Sequence, residues 1–237
     1  MVGHTTHLPL SSLGRIRLRH RSLISFPYRN SLKHHLLYTL YFPSILYTFP
    51  SILYIPKVFD SHTHILKHNA VVNLDPVDLR GEVRLRKGYS YSVGIHPWNV
   101  FATRPTDLLL LRALAIEPAV LAIGECGLDA KLTDAEGRSR EGILSAQTQL
   151  LHFHFRLSEQ LDKPLILHIV KAFPEIINLK RQWRPSQPWI IHGFRGKPQL
   201  ARELLDHGFY LSFGEKYNPE SFDLTPVSRR LRETDAL

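Results

Sequence analysis

From position 58 onward, short apolar runs alternate with longer stretches whose apolar residues recur every three or four positions. That is the pattern of strand and helix units feeding a parallel sheet. The runs predict eight strands at Val58–Asp60, Ala70–Leu74, Tyr89–Gly94, Val120–Gly124, Leu165–His168, Trp189–His192, Phe209–Phe213 and Arg230–Thr234. Between them, Glu141–Leu161 carries Ile143, Ala146, Leu150, Phe153, Leu157 and Leu161 on one helical face. Leu108–Ile116 follows a Thr106/Asp107 cap, and Gln199–His207 follows Pro198 at a first helical turn. Eight such strands predict an α/β fold, a (β/α)8 TIM-type barrel. The 180 residues available are lean for a fold that usually takes about 250. The connection between the first two strands is too short for a full helix. Only Asp235, Ala236 and Leu237 follow the last strand, so the barrel is expected to be incomplete there, with Asp235 weakly held.

Composition separates the first 57 residues from this pattern. They hold seven basic side chains and no acidic one, whereas residues 58–237 hold 23 basic and 21 acidic. The formal charge of +9 therefore belongs mostly to the leading segment and does not mark the barrel as a polyanion-binding module. Residues 36–56 are uncharged and follow a basic flank, which superficially resembles a membrane span. Pro43, Pro50 and Pro56 break that run, and four tyrosines dilute it, so a membrane anchor is disfavoured. FPSILY occurs at 42–47 and again at 49–54, a repeat far too short to be a structural unit. The chain is thus expected to divide into a disordered or non-native extension (1–57) and one hydrolase-type domain (58–237). A single cysteine, Cys126, excludes an internal disulfide and a thiolate metal cage, and suits the reducing cytoplasm. Any metal must be held by His, Asp or Glu.

In a barrel of this type the reactive groups gather at the carboxyl ends of the strands. Here the first strand runs into Asp60-Ser61-His62-Thr63-His64, where alternate residues share a face, so His62 and His64 can grip one cation. The fourth ends in Glu125, the fifth in His168, the sixth in His192 and the last in Glu233-Thr234-Asp235. Four imidazoles and two carboxylates then meet at one mouth. His152 and His154 share the spacing of two, but on a helix that spacing places them on nearly opposite faces. His68 and His207 fall in a loop and near a helix end. Nitrogen and oxygen donors without thiolate suit Zn, Mg, Mn or related ions. Six donors exceed what one tetrahedral ion needs, and a carboxylate between two sets of imidazoles can bridge a pair of ions. Such a pair clamps a phosphoryl group and activates water, which points to a hydrolase.

DSHTHIL (60–66), GIHPWN (94–99), AIGECGLD (122–129), PLILHIVKA (164–172), IHGFRGKP (191–198) and RETDAL (232–237) resemble, in order, the motifs of TatD-type metal-dependent deoxyribonucleases. The resemblance covers essentially all of 58–237. It implies two divalent ions, one held by His62, His64 and Asp235 and the other by His168 and His192, with Glu125 shared. It further implies that Asp235 acts as the base on the attacking water and that His96 contacts phosphate. Arg195 and Lys197 are further candidate phosphate contacts. DNA or another phosphodiester is the implied substrate, attacked from an end, and the oligomeric state stays open. The alternatives are an amidohydrolase that cleaves C–N bonds with the same metals, or a truncated, inactive relic that binds metal without turnover. The short first connection is similar to a compact subgroup of the family, and typical members continue beyond the equivalent of Asp235.

Overall fold

The computed structural model describes residues 59–79, 83–133 and 137–236. Eight strands, β1 (Asp60–Thr63), β2 (Ala70–Leu74), β3 (Ser90–Val93), β4 (Val120–Asp129), β5 (Leu165–Val170), β6 (Trp189–Ile191), β7 (Tyr210–Phe213) and β8 (Arg230–Arg232), form one sheet in chain order. Every neighbouring pair is parallel. The helices are α1 (Pro76–Leu79), α2 (Pro105–Ala115), α3 (Arg140–Leu161), α4 (Phe173–Trp183), α5 (Pro198–Asp206) and α6 (Pro219–Leu224). The result is a nearly closed TIM-like barrel.

Strand periodicity sorts the apolar side chains into two layers. Val71, Ala122, Ile166, Ile190 and Leu231, from β2, β4, β5, β6 and β8, make a small buried cluster of their own, the floor of the barrel lumen. Their strand neighbours Val72, Ile123, Leu165, Leu167 and Ile191 point the other way. They join Leu111 of α2, Leu151 and Leu157 of α3, Ile176 of α4 and Leu204 of α5 in the larger core. Each fully buried leucine or isoleucine contributes about 1.5–3 kcal/mol by leaving water.

Closure is made just beyond β8. The Asp235 N–H donates to the His62 carbonyl at 3.1 Å, and the His64 N–H donates to the Ala236 carbonyl at 2.9 Å. Beneath them the Asp60 carboxylate accepts the Thr234 N–H at 3.0 Å and the Thr234 hydroxyl at 2.6 Å. The backbone at Asp235, expected to be weakly held, is therefore tied to β1 on both sides.

Several boundaries move for reasons of pairing. Val58 lies outside the described residues, as does the whole 1–57 segment, and β1 runs through His62 because Asp60 and Thr63 pair with Ala70 and Val72. β4 continues past Gly124 to Asp129, since Cys126 to Asp129 stay in register with Leu167 to Val170. β5 likewise runs on, so His168 sits inside a strand. β8 stops at Arg232. Helix α2 starts at Pro105, with Arg104 at its cap, and Asp107 accepts the Arg104 N–H at 2.8 Å from inside the first turn. α4 is a helix beyond those that the sequence patterns predict, and it buries Ile176 and Ile177.

Candidate metal centre

The register that buries Ile166, Ile190 and Leu231 in the lumen continues two residues on to His168, His192 and Glu233. A period of two thus carries polar groups up to the mouth directly above the apolar floor. β1 adds His62, which has no solvent exposure, and His64 just beyond the strand. Glu125 comes from within β4, where Gly124 and Gly127 both have positive φ. A Cβ at these positions would strike the Ile166 or the His168 carbonyl, so only glycine lets β4 lie this close to β5 and press Glu125 against His168.

Glu125, only 2% exposed, is the hub. Its Oε2 lies 3.3 Å from His62 Nε2 and 3.4 Å from His64 Nε2. Its Oε1 lies 2.8 Å from His168 Nδ1, 2.8 Å from His192 Nε2 and 3.2 Å from His96 Nε2. Asp235 Oδ1 stands 3.7 Å from His62 Nε2 and 3.8 Å from His64 Nε2. The donors therefore fall into two sets, joined by one carboxylate.

Electrostatics bind the whole cluster to Glu125. Burial would raise the Glu125 carboxyl, but His192, His168 and His62 together hold it well below the ordinary carboxylate range. Burial would lower His192, yet Glu125 and Glu233 push it well above 6.5. For His168, Asp129 and Glu125 outweigh burial in the same way, and His64 is raised chiefly by its hydrogen bond with Glu125. Too few carboxylates serve too many imidazoles. Both ring nitrogens of His62, Nε2 of His168 and Nδ1 of His192 are buried without a hydrogen-bond partner among the described residues. Orphaned nitrogens of this kind are costly unless a cation or proton occupies the space between them. The donor sets His62/His64/Asp235 and His62/Glu125/His192 each bring their ligand atoms within 4.8 Å of one another, so the residues fit a metal.

A family model for TatD related DNase matches residues 57–236. The chain belongs to that family. It is 34% identical over 154 residues to the 3′-5′ ssDNA/RNA exonuclease TatD of Cronobacter turicensis, covering 61% of this chain and 56% of that protein. It is 32% identical over 167 residues to the uncharacterized metal-dependent hydrolase YcfH of Escherichia coli K12, covering 67% and 58%. The chain thus spans little more than half the length of these relatives. Among solved structures, the fold is similar to YJJV, a TatD homologue of Escherichia coli K12, with TM-score 0.55, 23% identity and 70% and 66% of the two chains covered. A hydrolase TatD family protein from Entamoeba histolytica gives TM-score 0.51 at 19% identity, covering 74% and 60%.

The TatD-related site places the other expected residues unevenly. His96 joins the cluster, but in a particular role. Its Nδ1 accepts the Trp98 N–H at 3.1 Å, so in the neutral ring the proton sits on Nε2, facing Glu125. His96 is thereby a donor rather than a free lone pair. Arg195 and Lys197 are exposed in the loop between β6 and α5, and neither side chain is paired among the described residues. Lys197 also borders a cleft of about 520 Å³ with Arg202 and Asn218, at the amino ends of α5 and α6. His152 lies against Trp183 with its ring tilted, at 4.7 Å between centroids, whereas His154 is fully buried, so the two do not converge. His68 stacks on Tyr89, away from the cluster.

Several further residues, given no role by the sequence pattern, contribute to the cluster. Asp129 Oδ2 accepts the Trp98 indole N–H at 2.7 Å and lies 3.5 Å from His168 Nε2, and these contacts overcome burial to hold it down at about 2. Glu233 faces His192 Nδ1 at 3.5 Å and accepts the Gly193 N–H at 2.5 Å. Asn73 accepts the Glu125 N–H at 2.7 Å. No helix among the described residues is long and apolar enough to cross a membrane.

Proposed function

We propose that residues 58–237 form a metal-dependent phosphodiesterase that hydrolyses nucleic acid from an end, as the name of the TatD exonuclease relative suggests. The observation that carries this reading is the split of Glu125, whose two oxygens serve two separate imidazole sets. That arrangement favours two divalent cations, Zn, Mg or Mn. His62, His64, Asp235 and Glu125 would hold one, and His168, His192 and Glu125 the other. Such cations supply Lewis-acid polarisation of a phosphoryl oxygen and an acidified water.

The chain's own groups do the rest. Asp235, with its side chain 30% exposed at the mouth, takes the proton of the water that attacks phosphorus, while the bond to the departing nucleotide oxygen breaks and that oxygen takes a proton from solvent. His96, through Nε2–H, donates to a phosphoryl oxygen. Arg195 and Lys197 draw the substrate backbone toward the mouth, and the near-neutral charge of 58–237 keeps that attraction modest. Residues 1–57 are dispensable to this chemistry, so their deletion should leave hydrolysis intact. The single buried thiol, Cys126, suits the reducing cytoplasm.

The test is metal analysis followed by digestion of single-stranded DNA, duplex DNA and RNA oligonucleotides, each with and without chelator. Cleavage that proceeds from an end and stops on chelation is expected. Full activity in metal-free protein would refute the reading, and hydrolysis of amides in place of phosphodiesters would move it to the amidohydrolase alternative. Stoichiometric metal without any turnover would mark a relic.

A further inference from the structure

Trp98 is 61% exposed, although it stands at the rim of a buried cluster. Its ring lies edge-on to His96 at 4.7 Å between centroids and 6.1 Å from His168. Large exposed aromatics usually sit on mobile or indifferent surface, but this one is fixed from several directions. Its indole N–H is held by the buried Asp129, and its backbone N–H by His96. The short 3-10 turn that carries it, Pro97–Asn99, is fastened at each step. Buried His154 Nε2 accepts the Ile95 N–H at 2.9 Å. Asp75 Oδ2 accepts the His96 N–H at 2.8 Å and the Asn99 side-chain N–H at 2.9 Å. Buried Gln147 donates to the Pro97 carbonyl at 3.3 Å, and its Oε1 accepts the Asp129 N–H at 3.0 Å. Four side chains from β2–α1, β4 and α3 thus converge to hold one indole rigid with a face open to solvent, one residue pair away from the donors around Glu125.

We propose that the Trp98 indole is a stacking platform for the nucleobase adjoining the scissile phosphate of a single-stranded substrate. The proposal rests on the phosphodiesterase reading of the same site. A rigid aromatic surface binds a base with little ordering entropy, and stacking needs no particular hydrogen-bond pattern, so the platform tolerates any base but requires one that is unpaired. Two strands away, just beyond β1, Ile65 and Leu66 add exposed apolar side chains, 49% and 38% exposed, directly after His64. A nucleotide whose phosphate reaches His96 Nε2 can lay its base on Trp98, because the two side chains are neighbours on the same turn.

The decisive comparison uses the full chain, loaded with metal. Hydrolysis rates (kcat/KM) are measured on a single-stranded oligonucleotide and on matched oligonucleotides in which the terminal nucleoside, at one end or the other, is abasic. The wild type is expected to prefer the base-bearing end by about 5- to 100-fold, from the usual worth of one base stacked on an aromatic ring. Trp98→Ala should abolish that preference, and Trp98→Phe, which keeps a ring but loses the N–H, should retain most of it. Metal content, measured for all three, should be the same. If Trp98→Phe falls as far as Trp98→Ala, the hydrogen bond to Asp129 is what matters and the platform is refuted. If Trp98→Ala keeps the wild-type preference, the platform is refuted while the phosphodiesterase reading stands. A wild type that cleaves no oligonucleotide overturns both. Concentration-dependent self-association lost in Trp98→Ala would instead assign the ring to a contact between copies.

Discussion

Acid should destabilise this protein through a residue that binds no metal. His154 on α3 has no solvent exposure; its Nδ1–H donates to the Leu150 carbonyl at 2.8 Å and its Nε2 accepts the Ile95 N–H at 2.9 Å. Both ring positions are used by the neutral form, so protonation would place a second hydrogen against the Ile95 N–H. Burial pushes its pKa down to about 4 from 6.5, outweighing the help of the Leu150 carbonyl. Between those values the unfolded chain binds the proton and the folded chain does not, so stability rises with pH across the window. The contribution is fully present above 6.5 and is lost as pH falls toward 4. From pH 7 to pH 5 the loss comes to about 2 kcal/mol.

The clean measurement is a difference. His154→Gln offers a side-chain carbonyl to the Ile95 N–H but does not titrate, while every other ionisable group is common to both chains. Urea unfolding in chelator, followed by tryptophan fluorescence at half-unit steps from pH 5 to pH 8, gives the two stabilities. At pH 7 the wild type should be ahead by about 1–2 kcal/mol, the worth of the lost Leu150 hydrogen bond and its packing. By pH 5 that lead should have vanished or reversed. A gap that stays constant across the range would show that His154 does not titrate differently on folding, and the argument from its burial would fail.

Two further outcomes follow from the hub and from the closure. Glu125→Gln keeps the shape but removes the charge that serves both imidazole sets, so metal occupancy should drop and hydrolysis should fall by about 100-fold or more, whereas Glu203→Gln, on the exposed side of α5, should change neither. Equal losses at the two positions, read by metal analysis and oligonucleotide digestion, would remove Glu125 from its role. Asp60→Ala strips the acceptor from the Thr234 N–H and hydroxyl, and from the half-exposed Lys67 ammonium at 3.1 Å, which adds little, so unfolding should cost about 2–4 kcal/mol less than in the wild type. Asp60→Asn, which can still accept the Thr234 N–H, should lose much less, and an unchanged urea midpoint in Asp60→Ala would mean that closure does not depend on this clamp.

The residues gathered around Glu125 were legible in the sequence because of where they stand in the strand period. An apolar run followed by a histidine two positions after a lumen-facing residue, as in Ile166 to His168 and Ile190 to His192, puts that histidine at the mouth whatever the rest of the chain does. The bracing residues have no such local signature. Ile95 and His154 are 59 positions apart, and nothing near either one names the other. Even so, part of the signal was present. His154 follows Leu150 by four and precedes Leu157 by three, which places it on the very stripe that packs against the sheet, and a histidine on a buried stripe needs partners for both nitrogens. It is a poor chelator with His152, and its two nitrogens are taken up instead by the Leu150 carbonyl and the Ile95 N–H. Asp129 lacks a local signal for a different reason. Gly124 reads as the end of the fourth strand, whereas the ladder with β5 carries the strand to Asp129 itself, so that a second acid stands at that strand's end beside His168 and holds the exposed indole of Trp98 in place. Because Gly124 and Gly127 are what allow β4 to lie this close to β5 and resume its ladder after the register shift between Ile123 and Cys126, the glycines that look like a strand's end in the sequence are the condition for its continuing.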